Sequence, residues 1–257
     1  MKQTVPVLQL EGVTKFYGPT CVLDGVGLDI GAGEIHALMG ENGAGKSTLI
    51  KVLTGISRMD SGKIRVNGED VAIRAISAAR RHGIAVVHQE LSVLPNLTVR
   101  ENLFLSREIT RAGVLDIASM RSEAVRLLAR LGLEIDPETP LSDLDVAERQ
   151  AVEICRALAE NAQILVLDEP TAALTDRERN RLFTVLEGLR QEGMSLLYVS
   201  HHLGEIRRLA DRVTVLRNGH RVFTRSMSEV SEAEIVFGML GEPVEELFPP
   251  RGAVLGN

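Results

Sequence analysis

The chain has 257 residues, 44% hydrophobic and 25% charged, a balance that suits a globular protein with a real core and not a disordered chain. Aromatics make up 3% and Trp is absent, so the core must be built from Leu, Val, Ile and Ala. The formal net charge of −6, with no run of Lys or Arg longer than two, argues against nucleic acid as a partner held by phosphate neutralisation.

No stretch approaches the roughly 20 apolar residues needed to span a bilayer. Met1-Lys2-Gln3-Thr4-Val5-Pro6 also lacks the apolar run of a signal peptide, so a cytoplasmic location is expected, with any membrane role exercised through a docked partner. Short apolar runs alternate with amphipathic segments along the chain, the pattern of a mostly parallel sheet covered by helices. Ile35–Met39 is the first buried-strand candidate. Gly40-Glu41-Asn42-Gly43-Ala44-Gly45-Lys46-Ser47 follows it and fits GxxxxGK[ST] in full, and Ser47–Thr54 then reads as a helix. Glycines let backbone N–H groups turn inward on an anion, and the helix N-terminus adds partial positive charge. Lys46 can reach the β- and γ-phosphates, and the Ser47 hydroxyl can ligate Mg²⁺.

Asn67-Gly68 lies between alternating residues and predicts a tight antiparallel hairpin, because both residues tolerate positive φ. Ile84–Val87 is a second buried strand. Gln89 just after it could reach the metal and an attacking water, although alone it would be a surface Gln. Residues 94–144 carry helical signals and Pro95, Pro137 and Pro140 but no strong strand, and are expected to form a helical insertion. Within it Ala124, Leu127, Leu128 and Leu131 share one helical face. A later helix carries Ala151, Ile154, Cys155 and Leu158, which makes Cys155 a buried thiol. Cys21, the other cysteine, is likewise isolated, with no CxxC pair.

Ile164–Leu167 is an apolar strand ending in Asp168-Glu169. Many strands end in an acid at a solvent edge, but beside a phosphate loop Asp168 can hold Mg²⁺ and Glu169 can polarise the attacking water. Thr175 and Glu178 form a capping box for a helix over 176–191, with Leu182, Val185, Leu186 and Leu189 on one face and Gly193 ending it. After the strand Ser195–Val199, His201 could touch the γ-phosphate, whereas His202 is expected to face solvent. Asn218-Gly219 predicts a second hairpin. The expected architecture is α/β: a P-loop NTPase core with an antiparallel β subdomain and a helical insertion. One domain is expected over 1–243, with 244–257 as a tail or linker.

Taken as an ordered set, these motifs resemble the ATP-binding subunits of ABC transporters over essentially the whole chain. Gly33–Thr48, Leu49–Gly55, Asp168–Thr175 and Tyr198–His202 look most like the first nucleotide-binding domain of the monosaccharide importers of ribose, xylose and galactose type. The resemblance implies an ATPase with ATP and Mg²⁺ as cofactors. Tyr17 matches the residue stacking on adenine, Gly40 to Ser47 the phosphate loop, and Thr48 a contact to the α-phosphate. Gln89 matches the lid glutamine, Ser47, Gln89 and Asp168 the metal set, and Glu169 and His201 the catalytic glutamate and switch histidine. It further implies a second nucleotide-binding domain, transmembrane permease subunits, indirectly a sugar-binding protein, and a peripheral position on the cytoplasmic face of the cell membrane.

The chain departs from the family at the signature. LSGGQ falls on Leu144-Asp145-Val146-Ala147-Glu148, and Asp145 stands where a serine donates to a partner's γ-phosphate. A carboxylate about 4 Å from a phosphate charge would oppose closure by about 1–4 kcal/mol, depending on the local dielectric. The expectation is an ATPase powering sugar uptake, with a regulatory or weakly hydrolysing nucleotide-dependent domain as the alternative. Relatives of this kind carry two such domains in one chain, and the stretch 239–250 resembles the linker after the first. A split system and a fragment both fit.

Overall fold

The computed structural model describes residues 5–88 and 93–241. The chain opens with two long strands, β1 (Leu8–Tyr17) and β2 (Thr20–Ile30), followed by β3 (Ile35–Met39) and helix α1 (Lys46–Leu53). A hairpin of β4 (Ser61–Val66) and β5 (Glu69–Val71) leads to α2 (Ile76–Arg81) and β6 (Ile84–Val87). The next stretch contains α3 (Val99–Phe104), the two-residue strands β7 (Thr110–Arg111) and β8 (Val114–Leu115), and α4 (Ile117–Arg130). Then come α5 (Val146–Ala159), β9 (Ile164–Asp168), α6 (Asp176–Gln191), β10 (Ser195–Val199) and α7 (Leu203–Leu209). Strands β11 (Arg212–Arg217) and β12 (His220–Ser226) and helix α8 (Glu232–Leu240) complete it.

Two sheets organise these elements. Six strands run in the order β12-β11-β3-β10-β9-β6, with β11, β3, β10, β9 and β6 parallel and β12 antiparallel at one edge. The second sheet, β2-β1-β4-β5, is antiparallel throughout. Side chains alternate between the faces of the main sheet, and both faces are covered. Ala37, Leu165, Leu167, Leu196 and Tyr198 pack against Ile154 of α5, Leu186 of α6 and Ile206 of α7. Leu38, Ile164, Val166, Leu197 and Val199 pack on the other side, against Leu49 and Leu53 of α1 and Leu8, Val26 and Ile64 of the antiparallel sheet. Double coverage explains why these strands read as largely apolar runs, with His36 and Ser195 as buried polar exceptions, whereas β1 and β2 mix buried with exposed positions.

The capping box expected at α6 is present, with the Thr175 hydroxyl accepting from the Glu178 N–H and the Glu178 carboxylate from the Thr175 N–H. Its buried face comprises Leu182, Phe183, Leu186 and Leu189, with Val185 half-buried. The helix after the glycine-rich loop begins one residue earlier than expected, at Lys46. The last α4 turn closes at Arg130, leaving Leu131 as a buried cap. The 94–144 insertion is helical as expected but also holds the small β7–β8 hairpin. Cys155 is buried, and burial pushes its thiol up to about 12; Cys21 is exposed.

Both Asn-Gly turns form with positive φ at each residue, 52° and 83° at Asn67-Gly68 and 50° and 79° at Asn218-Gly219. The second does more than join β11 to β12. Gly219 N–H donates to the carbonyl of Ala44 at 3.1 Å and its carbonyl accepts from Asp24 N–H at 2.9 Å, so the turn props the glycine-rich loop against β2. A Cβ on Gly219 would stand 2.5 Å from the Val22 carbonyl oxygen. Gly219→Ala combines that clash with a strained φ and should destabilise the fold by about 1–3 kcal/mol, read as a shifted denaturant midpoint.

Candidate functional site

The carboxyl ends of the parallel strands meet at one level. Val199 pairs with Leu38 on one side and with Asp168 on the other, so β10 aligns the ends of β3 and β9. Such a sheet end is where ligands bind in open α/β folds. A cleft of about 410 Å³ opens there, lined by Val22, Glu41, Asn42, Gly43, Gly45, Lys46, Ser47, Thr48, Asp168 and Glu169.

The loop from Gly40 to Ser47 wraps the N-terminus of α1. Gly45, the residue before the helix, has φ 106°, and a Cβ there would lie 2.7 Å from a Leu23 methyl. No side chain fits there, so at Gly45 the backbone itself lines the cleft. Lys46 is largely buried and donates to the carbonyls of Gly40 at 2.6 Å and Glu41 at 3.0 Å. Burial holds its ammonium below the usual lysine range, partly offset by the charges of Glu169, Asp168 and Glu41. Ala44 is buried beneath the loop, while Ser47 is exposed on its open side.

Asp168 ends β9 half-buried, its carboxyl raised above the usual aspartate range by burial first and by the Glu169 charge second, with His88 and Lys46 opposing. Glu169 has φ 48°, a left-handed conformation unusual for a residue with a Cβ, and its N–H donates to Val199 O at 2.9 Å. Such a conformation costs on the order of 1–3 kcal/mol and persists only where surrounding contacts enforce it. It carries the side chain across to His201, whose Nδ1 lies 3.1 Å from Glu169 Oε1. His202 stacks beside His201 and is exposed, as expected.

The expected positions do not all converge. Tyr17 stands half-exposed at the β1–β2 turn, outside the cleft wall, its hydroxyl 3.3 Å from Ser57 Oγ. Asp60 pins that strand end by accepting from Phe16 N–H at 2.6 Å. Gln89 and the 244–257 tail lie outside the described residues. Among the described residues no three His, Cys, Asp or Glu side chains form a metal cage. Mg²⁺ commonly needs only one or two protein oxygens plus waters and phosphate oxygens, so the hydroxyl of Ser47 and the carboxylate of Asp168 suit its chemistry. Two contributors were not legible in the sequence. Val22 reaches the cleft through the pairing of β1 with β2, and His88 acts on Asp168 because β6 lies beside β9.

Residues 23–172 match the family described as ABC transporter. The chain belongs to this family. It is 47% identical over 253 residues to the ribose import ATP-binding protein RbsA of Geobacillus kaustophilus, across 98% of this chain and 51% of that protein. To the protein of the same name from Chromobacterium violaceum it is 47% identical over 249 residues, across 96% of this chain and 50% of that protein. The chain thus spans about half the length of the curated relatives it matches. A solved ADP conformation of an ATP-binding cassette of an ABC transporter superposes with a TM-score of 0.80 at 26% identity, over 93% of this chain and 100% of that one. A dimeric post-hydrolysis cassette bound to ADP and Pi matches with a TM-score of 0.71 at 25% identity, over 86% of this chain and 98% of that one. These neighbours carry the P-loop NTPase fold expected from the motifs.

The departure at the family signature has a local explanation. Asp145 caps α5, its carboxylate accepting from Glu148 N–H at 2.8 Å while Glu148 accepts from Asp145 N–H at 3.0 Å. A negative charge at a helix N-terminus is favourable, so this aspartate has a structural use irrespective of any phosphate. Asp145→Ala should cost about 1 kcal/mol and Asp145→Ser much less, in chemical denaturation of the two variants.

Asp168 yields a second expectation. Because its folded pKa is raised, the native state binds that proton more tightly than the unfolded chain, and stability is lost as pH rises through the range between the two values. At neutral pH the penalty is fully present. Asp168→Asn should therefore raise the melting temperature in Mg²⁺-free neutral buffer, and the gain should vanish in acid, below the unfolded aspartate pKa. A lower melting temperature at neutral pH would show that the carboxylate is stabilising instead.

Proposed function

We propose that this chain is an ATP-binding and hydrolysing subunit of a monosaccharide importer. One observation carries the reading: Lys46, Ser47, Asp168 and Glu169 line a single cleft at the carboxyl ends of β3 and β9. Phosphoryl transfer requires this combination of an anion cradle, a metal-binding acid and a residue to orient water. The loop N–H groups and Lys46 hold the phosphates, and Ser47 and Asp168 hold Mg²⁺. When bound, Mg²⁺ neutralises charge on the β- and γ-phosphate oxygens. Glu169 polarises the attacking water, His201 steadies the glutamate and approaches the γ-phosphate, and Tyr17 offers its exposed ring to adenine.

Support for the sugar comes from the ribose import proteins, which are nearly half identical to this chain over almost all of it. Among the described residues no helix is long and apolar enough to cross a membrane. By likeness to these import proteins, the proposed assembly places the chain at the cytoplasmic face of the membrane, joined to transmembrane permease subunits and a second nucleotide-binding domain, with a sugar-binding protein upstream. The regulatory alternative finds no support in these relatives, which are named import ATP-binding proteins.

Two substitutions and one uptake assay test the reading. Lys46→Ala should remove most ATP binding in calorimetry while the far-UV spectrum stays native. Glu169→Gln should bind ATP and lose about 10²–10⁴-fold in kcat, the range for removing a general base. Deletion of the coding sequence should abolish uptake of one labelled monosaccharide. Unchanged ATP affinity in the lysine variant would refute the phosphate site, and undiminished uptake of every monosaccharide would refute the transport role.

A further inference from the structure

Beneath the cleft lies a buried polar cluster that the proposed reaction does not use. Glu205 of α7 is 4% exposed, yet it carries a carboxylate. Three hydroxyl groups converge on it. Thr171 Oγ1 lies 2.8 Å and 2.9 Å from its two oxygens, and Tyr198 Oη and Ser200 Oγ each donate to Oε2 at 2.9 Å. Thr171, Tyr198 and Ser200 are themselves almost wholly buried. Arg179 Nε of α6 stands 3.3 Å from Oε1, an ion pair without hydrogen-bond alignment. A carboxylate this deep survives only when its oxygens are satisfied and its charge is matched, and here both conditions hold.

The placement of the donors is the informative part. Thr171 lies two residues after Glu169, in a turn where Ala172 N–H donates back to the Glu169 carbonyl at 3.3 Å. Ser200 immediately precedes His201, and its hydroxyl also accepts from His202 N–H at 3.0 Å. Tyr198 belongs to β10, the strand between those that end in the phosphate loop and the acid pair. One carboxylate thus grips, from below, both short segments whose side chains meet above at the 3.1 Å contact between Glu169 and His201. Core packing alone does not call for this arrangement, since an apolar residue of the same size would fill the space without a buried charge.

We propose that Glu205 is a positioning residue for the reaction: it ties the segment carrying Glu169 to the segment carrying His201 and sets the relation between the two side chains. This rests on the reading that Glu169 and His201 act on the attacking water. Displacing a reacting group by about 1 Å can cost on the order of 100-fold in rate, so a support at this depth has kinetic weight. The cluster binds no ligand itself, and its loss therefore acts on turnover and leaves nucleotide binding alone.

Steady-state ATP hydrolysis by the full chain tests this with Glu205→Gln, Thr171→Val and Thr171→Ser. Glu205→Gln and Thr171→Val should each lower kcat by about 10- to 100-fold, the span seen when supporting partners of a reacting group are removed, and leave KM for ATP within about two-fold. Thr171→Ser restores the hydroxyl and should recover kcat to within about two-fold of the parent. In a His201→Ala background Glu205→Gln should cost less than about two-fold, because its effect passes through a contact already lost. A folded Glu205→Gln with parental kcat would overturn the proposal. So would penalties that multiply in the His201→Ala background, or a Thr171→Ser variant as slow as Thr171→Val. If Glu205→Gln fails to fold, the two threonine variants decide alone. Glu169→Gln, which keeps every Glu205 bond, tests the parent reading separately; unaltered turnover there would remove the basis for both.

Discussion

The register of the central strands is the constraint on which the rest of this molecule depends. Because Val199 sits opposite both Leu38 and Asp168, three loops leave the sheet at the same height: the glycine-rich loop, the acid pair and the segment bearing His201. A slip of one residue would shift a strand by about 3.3 Å and turn its side chains to the opposite face. Since both faces are packed, such a slip would bring each side chain into the wrong core and break the packing on both sides. The two hydrophobic cores thus secure a positional accuracy that no hydrogen bond within the cleft could supply.

Against that rigid background the cleft collects features that are individually unfavourable. Asp168 is held as a half-buried acid beside Glu169, Lys46 is largely buried, and Glu169 adopts a left-handed conformation. Each would relax if the surrounding structure allowed it. Together they concentrate strain and like charge at one end of the sheet, which the proposed anionic ligand and its divalent cation would relieve. The strain at Glu169 also has a geometric result, since it directs the carboxylate toward the end of β10 instead of along β9.

Support for these loops comes from elements distant in the chain. The Asn218-Gly219 turn braces Ala44 in the glycine-rich loop, Asp60 fixes the strand end that carries Tyr17, and Glu205 joins the segments that follow β9 and β10. All three contacts are made by polar groups at turns or in the core.

The sequence by itself determined the parts of the protein governed by local rules. Short, largely apolar runs marked β3, β6, β9 and β10, the Thr175–Glu178 box marked the start of α6, and the tolerance of Asn-Gly for positive φ marked both hairpins. The glycine spacing of residues 40–47 marked the loop between β3 and α1 as the candidate phosphate cradle, because its glycines and Lys46 follow the spacing such a loop requires. Strand order, by contrast, belonged to the tertiary structure. Nothing local states that β10 inserts between β3 and β9, that β11 joins the main sheet, or that β1 and β2 bring Val22 to the cleft. The capping role of Asp145 became visible once α5 was seen to begin at Val146, where the family pattern had suggested only a missing serine. The Glu205 cluster was hidden for a related reason: Tyr198 and Ser200 precede Glu205 by only a few residues, but Thr171 comes from the loop after β9 and meets the same carboxylate because β9 pairs with β10.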